Sequence, residues 1–174
     1  MDQSQRNAVI QYKPLLRASA YIDGAWMDAS DGKAIDVTDP FTGGLISTIP
    51  SLSQAQVQAA INAAERAFPA WSRQPARERG KVLRRLLDLI LQHRDDLARL
   101  ITLENGKPLK EAYGEVDYGA GFVEVYAEEA TRALGEIIPA PVPGRKLYAE
   151  KEALGVCAAI TPWNFPLAML TRKF

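Results

Sequence analysis

The chain has 174 residues, 47% of them apolar and 24% charged, with Lys plus Arg equal to Asp plus Glu at 21 each. That make-up suits a soluble globular chain with material for one ordinary core, and the zero net charge speaks against nucleic-acid or membrane-surface partners, which call for a basic excess. One cysteine excludes an internal disulfide and fits a reducing, cytoplasmic setting.

Residues 1–18 are polar and aperiodic and read as a flexible arm. The opening MDQSQRNAVIQYKP lacks the basic start and apolar run of a secretion signal. No stretch approaches the roughly 20 apolar residues that span a bilayer. From Tyr21 short β-favouring runs (Tyr21-Ile22, Trp26-Met27, Ile35 to Val37, Leu45 to Ile49) alternate with turn signals at Asp23-Gly24, Asp31-Gly32, Asp39-Pro40 and Gly43-Gly44. Asp-Gly and Gly-Gly supply the positive backbone angles of tight turns, so short strands and hairpins are expected.

Ser53 followed by Gln56 has capping-box spacing, with Leu52 and Val57 placed for a hydrophobic staple. Val57, Ile61, Ala64, Phe68 and Trp71 then recur at helical spacing and predict one buried stripe. Pro75 opens a second helix. Its stripe is Val82, Leu83, Leu86, Leu87, Ile90, Leu97, Leu100 and Ile101, ended by Asn105-Gly106, with Arg84, Arg85, Asp88 and Asp95 on the other side. Pro108 starts a third, through Leu109, Ala112, Val116, Val123, Ala127 and Ala130 to Gly135. Gly114, Gly119 and Gly121 weaken it by about 1 kcal/mol each relative to Ala, and the close approach of another element is their expected use.

Beyond Gly135, Pro139, Pro141 and Pro143 forbid a helix, and Leu147 to Glu152 alternates as an exposed or edge strand does. Val156 to Ile160 is an unbroken apolar run, the pattern of a strand buried on both faces of a parallel sheet. Cys157 lies inside that run and is expected to pack in a core rather than act as a nucleophile. His93, the one histidine, is expected on the polar side of a charged helix, with no companion for metal or acid–base work. The RERGKVLRR cluster reads as a solvated face, and Glu104 and Glu111 as helix-surface residues.

The stretches YIDGAWMDASDGKAIDVTDPFTG, AAERAFPAW, RERGKVLRRLLDLI, LARLITLENGKPLKEAYGEV and GVCAAITPWNFPLAMLTRK, in this order, carry a resemblance. Over about residues 20–173 the chain resembles the amino-terminal part of the aldehyde dehydrogenase superfamily, and within it the succinate-semialdehyde dehydrogenase group. PWNFP after an apolar run is the most specific of these features. The resemblance implies an α/β fold with short hairpins, a helical layer, extended oligomerisation-type strands and the first strand of a Rossmann-like sheet. The implied layout is an arm at 1–18, the strand and helix part of a dinucleotide-binding domain at 19–134, an oligomerisation-type segment at 135–154 and the start of the Rossmann-like core at 155–174.

By the same resemblance, Asn164 matches the oxyanion-hole asparagine, whose amide donates to an oxygen that becomes an alkoxide when a thiolate attacks the aldehyde. Ile160, Thr161, Pro162, Trp163 and Asn164 are implied contacts of NAD or NADP, although no G-x-G-x-x-G follows them. Arg172 is implied to bind the remote carboxylate of a semialdehyde, a task that two parallel guanidinium donors suit. The implied partners are a small semialdehyde and, for the parent enzyme, further copies of itself. The nucleophilic cysteine and glutamate base of the family have no counterpart here, so the chain reads as a fragment, from a frameshift or premature stop, inert by itself. The rival expectation is a non-enzymatic helical interaction module that associates with an intact relative.

Overall fold

Asp23 and Gly24 hold positive φ angles of 52° and 81°, the pair of left-handed residues that a two-residue hairpin turn requires. They join β1 (Ala20–Ile22) to β2 (Ala25–Met27), with Ala20 opposite Met27 and Ile22 opposite Ala25. A second hairpin pairs β3 (Ala34–Thr38) with β4 (Leu45–Pro50), antiparallel, with Ala34 opposite Pro50 and an irregularity between Val37 and Thr38. Asp39 shapes its loop, its carboxylate accepting from the Phe41 N–H at 2.8 Å and the Thr42 hydroxyl at 2.9 Å. The computed structural model describes residues 10–173; residues 1–9 of the expected arm and Phe174 lie outside the described residues.

Helix α1 (Gln54–Ser72) begins at the expected capping box, Ser53 accepting from the Gln56 N–H and the Gln56 side chain answering the Ser53 N–H. Gln56 reaches further, donating to the Asp28 carbonyl at 2.8 Å and accepting from the Ser30 N–H at 3.0 Å, so the cap also ties the helix to the chain after β2. The stripe expected to be buried is not. Val57, Ile61, Ala64 and Trp71 are exposed, Phe68 is half-buried, and only Ala63 is buried. An amphipathic face sinks only where another element covers it, and among the described residues α1 touches little besides β1.

The second expected helix is two helices, α2 (Ala76–Gln92) and α3 (Arg94–Asn105). His93 breaks them apart with φ −105° and ψ 21°, and its ring stacks on Tyr12 at 4.0 Å between centroids. It therefore sits at a junction, half-buried, rather than on the polar side of one long helix. Beyond the break Asp96 is buried and its two oxygens accept the backbone N–H groups of Gln11, at 2.9 Å, and Tyr12, at 2.7 Å. Ile10 beside them is fully buried, and Lys13–Leu16 form a turn of 3₁₀ helix. Residues 10–16 are thus pinned to the helices, contrary to the flexible-arm reading, because a buried carboxylate needs donors and this segment supplies them.

Gly106, at φ 76°, ends α3 as a left-handed cap. Helix α4 (Leu109–Glu129) follows Pro108 and stops before Gly135. Helices α2 and α3 both pack along it, and the core is Ile90, Ala98, Ile101, Ala112, Val116, Ala120 and Val123. Gly119 meets the expectation of close approach, since a Cβ there would lie 3.1 Å from Thr171 Oγ1 and 3.4 Å from Ala168 Cα, both on the short helix α5 (Ala168–Thr171). Gly114 and Gly121 face open space and do not meet it.

Between α4 and α5, β5 (Glu136–Pro139) and β6 (Lys146–Ala149) form a wholly exposed antiparallel hairpin. Residues 150–167 contain neither helix nor strand. The expected buried strand at Val156 to Ile160 is absent here: Val156 is 45% exposed and Ile160 98%. A strand needs a ladder partner, and among the described residues none lies alongside. The first Rossmann-like strand is therefore not formed, and Cys157 is exposed instead of packed in a core.

Candidate functional site

The run Pro162-Trp163-Asn164-Phe165-Pro166 has no backbone N–H at either proline, so it cannot hold itself in helix or ladder. Beside the Phe165 carbonyl, which accepts from the Met169 N–H at 2.9 Å, its bonds come from the turn between α3 and α4. Asn105 Nδ2 donates to the Trp163 carbonyl at 3.0 Å, and Lys107 Nζ donates to the Asn164 carbonyl at 2.8 Å. The Lys107 ammonium also lies 3.9 Å from the Phe165 ring centroid, within cation–π reach. Helix α5 then starts over Glu115, whose Oε1 accepts the N–H groups of Leu167, at 2.9 Å, and Ala168, at 3.4 Å. Glu115 Oε2 pairs with Lys107.

The main chain of this loop is held while its side chains stand open. Trp163 is 79% exposed, and the Asn164 side-chain amide has no partner among the described residues. The backbone of Ile160 and Thr161 is likewise free of bonds to the described residues. Arg172, at the end of α5, is exposed; its Nη1 lies 3.6 Å from Met169 Sδ and its guanidinium 5.8 Å from the Phe122 ring centroid. Among the described residues no carboxylate pairs with it.

A cavity of about 370 Å³ adjoins the loop, lined by Leu97, Ile101, Glu104, Asn105, Pro166 and Leu167. Glu104 also faces a second, of about 440 Å³, between α3 and the β3–β4 hairpin. Solvent reaches Glu104, yet its crowded surroundings desolvate the carboxyl enough to raise it above the ordinary glutamate value.

The sequence-predicted residues 160–164 thus share one open loop, and Arg172 follows one short helix later. Sequence reasoning missed Asn105, Lys107 and Glu115, which hold that loop. A signal existed for Glu115: a glutamate among Ala112, Val116 and Gly119 on the buried face of α4 calls for partners.

A family model described as the aldehyde dehydrogenase family matches residues 26–174. Over 159 residues, 91% of this chain, the sequence is 52% identical to the glutarate-semialdehyde dehydrogenase of Pseudomonas putida strain KT2440 and 50% identical to the NADP(+) succinate-semialdehyde dehydrogenase of Escherichia coli K12. Each match takes in 33% of the relative, so the chain spans about a third of the length of the curated relatives it matches. The crystal structure of an E. coli NADP-dependent enzyme superposes with a TM-score of 0.92 at 49% identity, covering 94% of this chain and 34% of that one.

Proposed function

This chain belongs to the aldehyde dehydrogenase family, and we propose that it is the oxyanion-binding third of a semialdehyde dehydrogenase that uses NAD or NADP. The single observation carrying the proposal is the Asn164 loop, with its backbone fixed by Asn105 and Lys107 and its amide left unpaired. When a thiolate adds to an aldehyde carbon, the carbonyl oxygen gains negative charge. A side-chain amide held nearby donates to that oxygen and cannot lose its own proton. Asn164 takes this part. The nucleophile is assigned to the portion of the relatives that this chain does not span.

The open backbone at Ile160 and Thr161, with the exposed faces of Pro162 and Trp163, fits a dinucleotide laid along the main chain. Bound there, it would supply a hydride acceptor for the substrate carbon. Ile160 to Asn164 would hold and orient it, and the Trp163 ring would shield it from water. Arg172, unpaired with any acid among the described residues, receives the carboxylate at the far end of a succinate- or glutarate-type semialdehyde. The 19–134 and 135–154 divisions fit this reading, and the 155–174 division joins the first through α5, which packs on α4 at Gly119 and Glu115. The exposed β5–β6 hairpin is the segment through which the whole protein pairs with further copies, and the cytoplasm is its place of work. No helix among the described residues is long and apolar enough to cross a membrane.

A chimaera tests the reading: residues 10–173 replace the matching third of the E. coli succinate-semialdehyde dehydrogenase. Turnover of succinate semialdehyde, followed by nicotinamide absorbance, is expected. Arg172→Met is expected to raise KM for the semialdehyde at least tenfold while sparing an uncharged aldehyde. Equal effects on both substrates contradict the role of Arg172, and a folded chimaera without turnover contradicts the reading itself.

A further inference from the structure

We propose that Lys107 and Glu115 are positioning residues for Asn164, forming one partly buried clamp that fixes the direction of its amide. The proposal rests on the oxyanion reading above and assigns a role to two residues outside the loop.

Glu115 sits on the packed face of α4 and is 2% exposed. A carboxylate there is costly to desolvate, and an apolar side chain would fill the same place at least as well for stability alone. What an apolar residue cannot do is divide two oxygens between two tasks. Oε1 takes the first N–H groups of α5, at Leu167 and Ala168, and so sets where the chain leaves the loop. Oε2 holds the Lys107 ammonium. Lys107 follows the left-handed cap of α3 at Gly106, so its stem leaves from a sharply defined turn. Its remaining contacts both lie in the loop, the Asn164 carbonyl at 2.8 Å and the face of Phe165.

The clamp therefore grips the residue whose side chain is free. Pro162 and Pro166 bracket it and offer no N–H through which the loop might brace itself. With the Asn164 carbonyl fixed, its Cα–Cβ bond points one way, and rotation about χ1 and χ2 is the main freedom left to the amide. An oxyanion donor works through such preorganisation, since a donor that must reorient during the reaction loses much of its effect.

The test combines two measurements. In the ¹⁵N-labelled 174-residue chain, Lys107→Met and Glu115→Gln are expected to shift the Asn164 side-chain amide resonances. Hydrogen exchange at Leu167 and Ala168 is expected to quicken at least tenfold, with the amides of α2 and α3 unmoved. In the chimaera, the same variants are expected to lower kcat about tenfold or more at nearly constant KM. The double variant Lys107→Met with Glu115→Leu removes both charges together. It is expected to recover part of the melting temperature, the Leu167 and Ala168 N–H groups having lost their acceptor, and to leave kcat low.

Recovery of kcat along with stability would mean that the pair only packs, and would overturn the proposal. Unchanged Asn164 resonances in the single variants overturn it too. Failure of the underlying reading looks different: Asn164→Ala itself then leaves kcat unchanged, and the clamp's catalytic role falls with it.

Discussion

The α2–α4 unit and the stretch from residue 150 to residue 167 are ordered by opposite means. In the first, Ile90, Ala98, Ile101, Val116 and Val123 close around one another, and position follows from apolar burial. In the second, Leu154, Ile160 and Trp163 face solvent, and among the described residues polar bonds fix the main chain near its end, at Trp163, Asn164 and Leu167. Packing fixes a residue by surrounding it. Polar pinning fixes the main chain and leaves the side chains available, which is the arrangement a binding loop needs.

The contrast is most sharply tested by two substitutions that delete the same atoms. Ile101→Ala opens a cavity in the helical core and is expected to cost about 2–5 kcal/mol. Ile160→Ala is expected to stay within about 0.5 kcal/mol, as surface changes do. Urea midpoints at constant slope measure both; similar losses would mean that residues 155–160 are packed in solution.

A smaller effect is expected at the edge of the packed region. Ser53→Ala removes the cap of α1 and should cost about 1 kcal/mol by the same urea assay. Because the Gln56 side chain still reaches Asp28 and Ser30, α1 is expected to remain helical by circular dichroism. Loss of the helix signal would place most of its stability in that one hydroxyl.

The smallest effect is a dependence on pH. Asp95, hydrogen-bonded by Arg99 and Tyr113, and Asp117, hydrogen-bonded by Arg94, both have carboxyls lowered from the ordinary aspartate value. Both groups therefore favour the folded chain above about pH 4, and that contribution fades as the pH falls through the lowered values. Melting followed from pH 6 to pH 2 should show a decline that Asp117→Asn makes shallower below pH 4. An unchanged profile would confine these pairs to the solvated surface.

Local chemistry was legible in the sequence wherever a residue decides its own backbone. Asp23-Gly24, the Ser53–Gln56 box and Gly106 each specify a turn or a helix end without help from afar. Burial was legible only where the covering element lies within the chain. The stripes of α2, α3 and α4 meet one another and close, whereas the equally regular stripe of α1 stays exposed. Val156 to Ile160 failed as a strand for the same reason, since a ladder is a property of two segments. The break at His93 was hidden because the apolar spacing continues through it.

Of the candidate site, the loop itself was readable from its prolines and the family resemblance. The resemblance points to residues expected to contact a ligand, and so passes over Lys107 and Glu115, which contact the loop. Their partners lie 57 and 52 residues away along the chain, and helical periodicity does not report such distances.

The role proposed for the Asn164 amide is to receive negative charge on a substrate oxygen. It is tested most directly by kcat of the Asn164→Ala chimaera with succinate semialdehyde. The expected result is a fall of about 10²–10³ with the fold and cofactor binding intact. A folded variant that turns over at the parent rate would contradict it.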